Sequence, residues 1–502
     1  VPGTDNLDSR LILAERSKHT TKGETMKLLI AMLCAIAAYG CQLQAQAQDF
    51  GRMFPQLAPF QPPELLLTNL AASMADPNAP ADDNPAGRPS IFTYLGQFLD
   101  HDLTLMTPPL DEANGDLSVI SNARTPRLDL DSVYGGGLQG SPNFYDAAGR
   151  FITTINANGV EDLQRGPDGT AILIEGRNDE NLIIAQIHLA FQRFHNHYVD
   201  QGYSFSEAQQ LVRWRWQWIV VHDLLPEFVG QDVVDQFLVY NGAGKPNVRY
   251  QNYKPGNPNR PMTPIEFSVA AYRFGHSMIR LAYVMPTGSV TKTQVFNAAG
   301  NDLHGSRPIP PNLKIDFRNF VEIPGQPRPP GFNVFRKIDA LISKSVAGAV
   351  PSTPQLGPLP TNPPVVSPAD TPLVTSLPAR NLLRGARIGL PSYQDVASSM
   401  GIAPLGLTTL SNPNTVPPID FTDPAWGGGS PLWFSILKES EVLKNGQTLG
   451  PTGGRIVAEV ILGLIDQDKT SYFSSPRAWT PQDGSIPGEF HVFDLLALAG
   501  SL

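Results

Sequence analysis

The sequence predicts a mainly α chain with long irregular connections and little β structure. Three observations predict it. Apolar residues recur at three- and four-residue spacing in several separate segments, the pattern of helices that bury one face. No alternating apolar–polar stretch recurs, so no sheet forms a major layer. Proline and glycine are both abundant, 48 and 44 of 502 residues, so long irregular segments must join the helices. A hydrophobic content of 41% is enough for a sizeable core. The net charge of −9 comes without a block of like charges, which argues against a nucleic-acid partner.

The elements follow in order. Met26-Lys27 precedes an eleven-residue apolar run, Leu28 to Ala38, and then Ala45-Gln46-Ala47, a small-x-small cleavage pattern. This reads as a secretory signal peptide, too short to span a bilayer. Cys34 and Cys41 both lie inside it, so the chain after Ala47 has no disulfide. An acidic, exported, disulfide-free protein fits a bacterial periplasmic or extracellular setting. Residues 1–47 are therefore read as an N-terminal extension and residues 48–502 as one domain. Residues 50–90, with eight prolines from Pro55 to Pro89, read as an extended arm. Helical character starts near Ile91. Residues 103–180 read mostly as loop. A helix is predicted over Glu180–Asp200, and another from Ser206, as N-cap, to about Leu225, stopped by Pro226. Trp214, Trp216 and Trp218 make that second helix apolar nearly all round. Pro264–Tyr283 reads as a further helix and Ile456–Asp466 as a late one. Pro351–Pro372 is a proline-rich surface excursion.

Gly96-Gln97-Phe98-Leu99-Asp100-His101-Asp102 carries the most chemistry. On a helix, Gln97, Asp100 and His101 share a face. Asp102 follows His101 by about 100° and points elsewhere. One turn can thus offer an acid–base group and a carboxylate to one ligand, and a second carboxylate to another. Thr125-Pro126-Arg127-Leu128-Asp129-Leu130-Asp131-Ser132 alternates oxygen-bearing side chains with others. Thr125, Asp129 and Asp131, with the Arg127 carbonyl and Asp102, could supply oxygens to a hard cation such as Ca²⁺. Taken alone, the segment reads more readily as a solvated turn. Arg177 and Glu180 stand three apart at a helix start, where an arginine can stabilise negative charge developing on a substrate. Taken alone they read as an exposed ion pair. His276 lies in an apolar helix with Arg273 one turn back. It reads either as a structural histidine or as a metal ligand, and Gly275 would let a planar group approach the backbone. Asn381 and Arg384 are again three apart on a helix. Asn381 could bond the second nitrogen of a ligating histidine, and Arg384 could pair with an anion. His188, His195, His197 and His222 read as buried, hydrogen-bonded structural residues.

In their order along the chain, these clusters resemble the animal-type haem peroxidases of the peroxidase–cyclooxygenase superfamily, in a compact bacterial version, from about residue 50 to 470. The resemblance implies a large single-domain helical haem peroxidase fold and haem b as cofactor. It implies His101 as the distal histidine that moves a proton on H₂O₂, Arg177 as the distal arginine, and Gln97 as a distal glutamine near the halide position. It implies His276 as the ligand of the haem iron, with Asn381 as its hydrogen-bond partner. Asp100 and Glu180 match carboxylates that form ester links to haem. Asn181 stands where one mammalian member has a methionine link, so that third link is not expected. Arg273 and Arg384 match positions beside the haem propionates. Asp102, Thr125, Arg127, Asp129 and Asp131 match calcium ligands, with Asp131 where many members have serine. The stretch Arg384-Gly385-Ala386-Arg387-Ile388-Gly389 departs from the animal pattern.

The implied activity is reduction of hydrogen peroxide, with oxidation of halide, pseudohalide or small organic donors through an oxoferryl intermediate. Two other readings stay open. In fatty-acid oxygenases of the same superfamily a radical tyrosine stands three residues before the iron ligand. Here that position is Arg273, and Tyr272 is four before, which favours a peroxidase. The third reading is a non-catalytic, calcium-stabilised exported helical protein.

Overall fold

A computed structural model describes residues 48–76, 87–107, 116–257, 260–296, 301–343 and 376–502. The extension over residues 1–47, with its cysteines and apolar run, and the proline-rich excursion over 351–372 lie outside the described residues. Helices dominate, and the strands are short, so the mainly α class follows from the periodicity as expected.

The proline-rich arm is not extended throughout. Helix α1 spans Glu64–Ser73, because Leu67, Leu70 and Ala71 recur at helical spacing and bury one stripe. The arm is also pinned at its start. Arg52 donates to the carbonyls of Gly389 and Ile388, and the buried Glu266 carboxylate accepts from the backbone N–H of Met53 and Phe54.

Helix α2, Ile91–Leu103, carries the Gln97–Asp102 turn. Its Phe98 is fully buried, stacked on Phe191 with centroids 4.4 Å apart and set edge-on to Trp216 at 5.7 Å. Phe191 belongs to α3, Leu182–Asp200, and Trp216 to α4, Phe205–Ile219. This three-ring contact locks α2 against α3 and α4. Helix α3 begins after Asn181, whose side chain accepts from the N–H of Ile183 and Ile184. Helix α4 starts two residues earlier than the sequence suggests. Ser204, not Ser206, is its cap, in a capping box with Glu207.

Pro226 does not stop that helix. A π-turn over Val220–Leu224 lets the chain continue into α5, Leu225–Val229, with Pro226 in its first turn, where no N–H is needed. The run ends at Gly230, whose φ of +88° suits glycine. Helix α4 is also not apolar all round. Trp216 and Ile219 are buried, whereas Trp214 is partly exposed and donates to the Thr470 carbonyl.

The largest departure lies around His276. No continuous α-helix runs over Pro264–Tyr283. Thr263–Pro264 is a short strand, Glu266–Ala270 a π-turn, Ala271–Met278 a 3₁₀ segment, and Ala282–Val284 a strand. Side chains take carbonyls that an α-helix would use. Arg273 Nε donates to Ser268 O, Ser277 Oγ to Phe274 O, and Trp433 Nε1 to Arg273 O. The 3₁₀ repeat still aligns residues three apart, so Arg273 and His276 share a side.

Helix α6 spans Leu377–Arg387 and opens on Ser376, which caps Ala379 N–H. Helix α7, Leu432–Lys444, and the fully buried stripe of α8, Pro451–Gln467, complete the core behind the 3₁₀ segment. The late helix is longer than its apolar stretch because Glu439 caps the N–H groups of Thr452 and Gly453. One small sheet joins distant parts of the chain. Strands β1, Gln48–Gly51, β2, Met106–Thr107, β3, Ser121–Asn122, and β4, Thr263–Pro264, lie in the order β4-β1-β3-β2. β1 runs parallel to β4 and antiparallel to β3. Residues 48–502 pack as one unit. Among the described residues no helix is long and apolar enough to cross a membrane.

Candidate active site

A cavity of about 300 Å³ lies between α2, the turn before α3, the 3₁₀ segment and α6. Gln97, Asp100, His101, Arg177, Glu180, Arg273, Gly275, His276, Asn381 and Arg384 all line it. Residues separated by up to nearly 290 positions thus meet at one place. A larger surface groove of about 730 Å³ contains none of them.

The α2 face behaves as helical geometry requires. Gln97, Asp100 and His101 face the cavity, and Asp102 is turned away and fully buried. Nδ1 of His101 donates to Oδ1 of Asn178 at 2.8 Å, and its Nε2 stands 4.0 Å from Oε1 of Glu180. Burial and the nearby Arg177 hold the imidazole pKa down to about 4, so it is neutral near pH 7. Gln97 donates to the same Glu180 oxygen. Burial pushes Glu180 up to about 7. Asp100 goes the other way. Burial alone would raise it, but the guanidiniums of Arg273 and Arg177 outweigh that and keep it below the usual carboxylate range. Arg273 Nη1 lies 3.8 Å from Asp100 Oδ2.

Arg177 and Glu180 are not an exposed pair. Arg177 is clamped by Glu175, with Nε to Oε1 at 2.9 Å and Nη2 to Oε2 at 2.9 Å. Its Nη2 also donates to the carbonyls of Thr104 and His101. Glu175 is buried, and although burial opposes its charge, Arg177 holds its carboxyl down to about 2. Its folded pKa lies below the ordinary value near 4.5, so the stability it contributes is present above pH 4.5 and lost as pH falls towards 2. Glu175→Gln should therefore cost about 3 kcal/mol at neutral pH, typical of breaking a buried pair. Melts of both proteins from pH 7 to 2.5 check this: the gap should close as Glu175 protonates, and a gap independent of pH would refute it.

On the opposite wall His276 is neutral, its pKa held down to about 3 by burial and by Arg273. Nδ2 of the Asn381 amide stands 2.8 Å from its Nδ1. With the amide turned over, its oxygen accepts from Nδ1–H and the lone pair of Nε2 is free for a metal. A Cβ built on Gly275 meets no atom within 4 Å, so this residue leaves open space on the cavity wall. A flat group fits that open strip, a histidine stands ready to ligate its metal, and Arg273, Arg380 and Arg384 line the cavity to receive its anionic substituents. The donor set and the space together suit haem.

A second cluster lies behind α2. Carboxylate oxygens of Asp102, Asp129 and Asp131 all fall within 4.8 Å of one another. Asp102 accepts from Leu130 N–H at 3.1 Å, Ser132 N–H at 3.3 Å and Ser132 Oγ at 2.7 Å. Thr125 Oγ1 donates to Asp129 at 2.6 Å. Burial raises the pKa of all three aspartates, and Oδ1 of Asp131 is buried with no hydrogen-bond partner. Leu128 and Leu130, on either side of Asp129, hold positive φ angles of 53° and 59°. Each costs roughly 1–2 kcal/mol for a residue with a Cβ. Three inward carboxylates, an orphaned oxygen and a strained loop are the features of a site that can hold a hard cation. Arg124 joins this cluster to the cavity, 3.6 Å from Asp131 and 3.6 Å from Glu175.

Sequence reading missed Glu175, Asn178, Arg124 and Arg380. Only Arg380 left a usable signal, one helical turn before Arg384. Of the histidines read as structural, His195 is fully buried and bonded to Tyr134 and to Gly149 O. His197 and His222 are only partly buried. His188 is buried and contacts Asn178.

Residues 111–299 match the family model for animal haem peroxidase. That stretch contains Thr125–Asp131, Arg177–Glu180 and His276, whereas Gln97–Asp102 and Asn381–Arg384 lie outside it. Chorion peroxidase of Aedes aegypti is 31% identical over 173 residues, 30% of this chain, and the match spans only 21% of that protein's length. Among solved structures, peroxidase A of Dictyostelium discoideum superposes with a TM-score of 0.58 at 16% identity, covering 85% of this chain and 88% of that one. The fatty acid alpha-dioxygenase of Arabidopsis thaliana gives 0.55 at 14% identity, covering 91% and 76%. That of Oryza sativa with palmitic acid gives 0.55 at 16%, covering 85% and 76%. At these identities the superpositions establish the fold, the helical haem peroxidase fold. Within that fold, residues 111–299 are similar to the animal haem peroxidase family.

Proposed function

We propose that this chain is a haem peroxidase that reduces hydrogen peroxide and oxidises halide, pseudohalide or small organic donors. The observation that carries the reading is the pair of neutral, asparagine-bonded histidines, the buried His101 and the partly buried His276, lining one cavity. His276 would hold haem, and the haem iron would supply the redox chemistry for peroxide reduction. His101 Nε2 accepts the proton of the incoming peroxide and returns it to the departing oxygen, which leaves as water. Arg177, kept charged by Glu175, offsets the negative charge that develops between these transfers. Gln97 and Glu180 border the position of the small donor. Arg273 and Arg384 pair with the propionates, and Asp100 and Glu180 are the carboxylates placed for ester links. Calcium, held by Asp102, Asp129, Asp131 and Thr125 with the Arg127 carbonyl, braces α2. An exported location goes with this reading, on the Leu28–Ala47 pattern.

The visible spectrum of the purified chain, expressed with ample haem, tests the reading. A Soret band and peroxide-dependent oxidation of iodide or a phenol are expected, and haem should resist acid–acetone extraction after peroxide treatment. A missing Soret band would end the enzymatic reading and leave the non-catalytic, calcium-stabilised exported helical protein. A second enzymatic reading, fatty-acid oxygenation, draws on Tyr272, which lines the cavity. Its hydroxyl is engaged with Gly96 O at 3.2 Å, and burial keeps it protonated. Rapid O₂ uptake with an unsaturated fatty acid would reverse the order of the two.

A further inference from the structure

His101 does not meet solvent on its inner side. Its Nδ1 is bonded to Oδ1 of Asn178, and Nδ2 of Asn178 lies 3.0 Å from Nδ1 of His188. All three side chains are buried, at 4%, 0% and 1% exposure, so no water competes for these contacts. An amide oxygen only accepts, so Nδ1 of His101 must carry the ring proton. Nε2 then has a lone pair to offer the cavity. At the other end the amide NH₂ only donates, so Nδ1 of His188 must be unprotonated.

The amide could in principle be turned over. His188 would then donate to the amide oxygen, the NH₂ would donate to His101, and the His101 proton would sit on Nε2. That state cannot accept a proton from a ligand in the cavity. The chain of three is therefore a two-position device, in which the proton on His188 decides which nitrogen of His101 is basic.

We propose that Asn178, backed by His188, is a positioning residue that fixes the tautomer and ring direction of His101. Arg177 and Asn178 are consecutive, so one 3₁₀ turn, Gly176–Asp179, supplies both the charge beside the peroxide site and the group that orients its base. Phe98 helps hold the far member, its ring edge-on to His188 at 6.2 Å. The inference rests on His101 as the proton acceptor of the proposed peroxidase.

Neutron diffraction from crystals of the full chain as purified reads the proton positions without any assay. Density for hydrogen is expected at Nδ1 of His101 and not at Nε2, and not at Nδ1 of His188. A proton on Nε2 of His101 overturns the proposal. In the haem-loaded enzyme, Asn178→Leu should slow the peroxide step about 10–100-fold, part of the range a positioned acid–base group supplies. Donor oxidation should be unchanged. Asn178→Asp, which keeps an acceptor towards His101, should restore most of the rate. If the leucine variant does not fold, His188→Leu is measured instead and should slow the same step. An unchanged rate in the variant measured overturns the proposal. If the neutron result is as expected but wild-type protein never reacts with peroxide, the tautomer assignment stands and the peroxidase reading falls.

Discussion

His101→Leu should slow the peroxide reaction about 10²–10⁴-fold, the range contributed by a positioned proton acceptor. Leucine fills similar space but has no lone pair, and His101 is a neutral imidazole whose Nε2 stands 4.0 Å from Glu180 in the cavity. The variant should still bind haem, since His276 and Asn381 are untouched on the opposite wall. A modest loss of stability, about 1–3 kcal/mol, should accompany it, because Oδ1 of Asn178 loses its donor. Stopped-flow absorbance gives the rate and the Soret band reports haem. A rate within threefold of wild type would move the proton transfer elsewhere. The obvious replacement is Glu180, whose oxygen is 4.0 Å from the imidazole, and Glu180→Gln in the same background would then abolish the reaction.

The second large effect is expected from Asp102→Ala. Asp102 accepts three hydrogen bonds from Leu130 and Ser132, all in a fully buried setting. Deleting the carboxylate orphans those donors and should cost about 2–4 kcal/mol. It also removes one of three converging carboxylates. In wild type, added Ca²⁺ should raise the melting temperature and a chelator should lower it; in the variant both shifts should vanish. Wild type that ignores both would mean the cluster holds no calcium. The effect should reach the cavity by two routes. Asp102 is bonded through the backbone to His101, and Asp131 meets Arg124, which meets Glu175, the clamp of Arg177. Chelation should thus slow the peroxide step as well as lower the melting point.

What could be read from sequence depended on the range of the forces involved. The Gln97–Asp102 turn was legible because helical spacing is local: three and four residues apart means one face, and one residue further means another. The same reasoning failed over Pro264–Tyr283. There the periodicity is helical, but Ser268 and Arg273 carbonyls are taken by Arg273 and Trp433 side chains, and Trp433 is far along the chain. The helix in the proline-rich arm was hidden by its neighbours, although Leu67, Leu70 and Ala71 carried the right spacing. Pro226 misled because a π-turn allowed the helix to restart with proline in its first turn.

By itself, then, the sequence determined the mainly α class, the faces of the Gln97–Asp102 turn, and the residues fit for chemistry. Those properties depend on side-chain type and near-neighbour spacing. Only the tertiary structure decided which of them meet. It brought His101 and His276 to one cavity, turned Asp102 to Asp129 and Asp131, and set Glu175, Arg124, Asn178 and His188 behind the residues they hold. These are contacts between segments up to hundreds of residues apart, made under burial, where an unpaired charge or amide costs too much to leave alone. A glutamate two residues before an arginine looks ordinary in a sequence. Buried against it, with no water to replace it, it becomes the group that keeps the arginine charged and aimed.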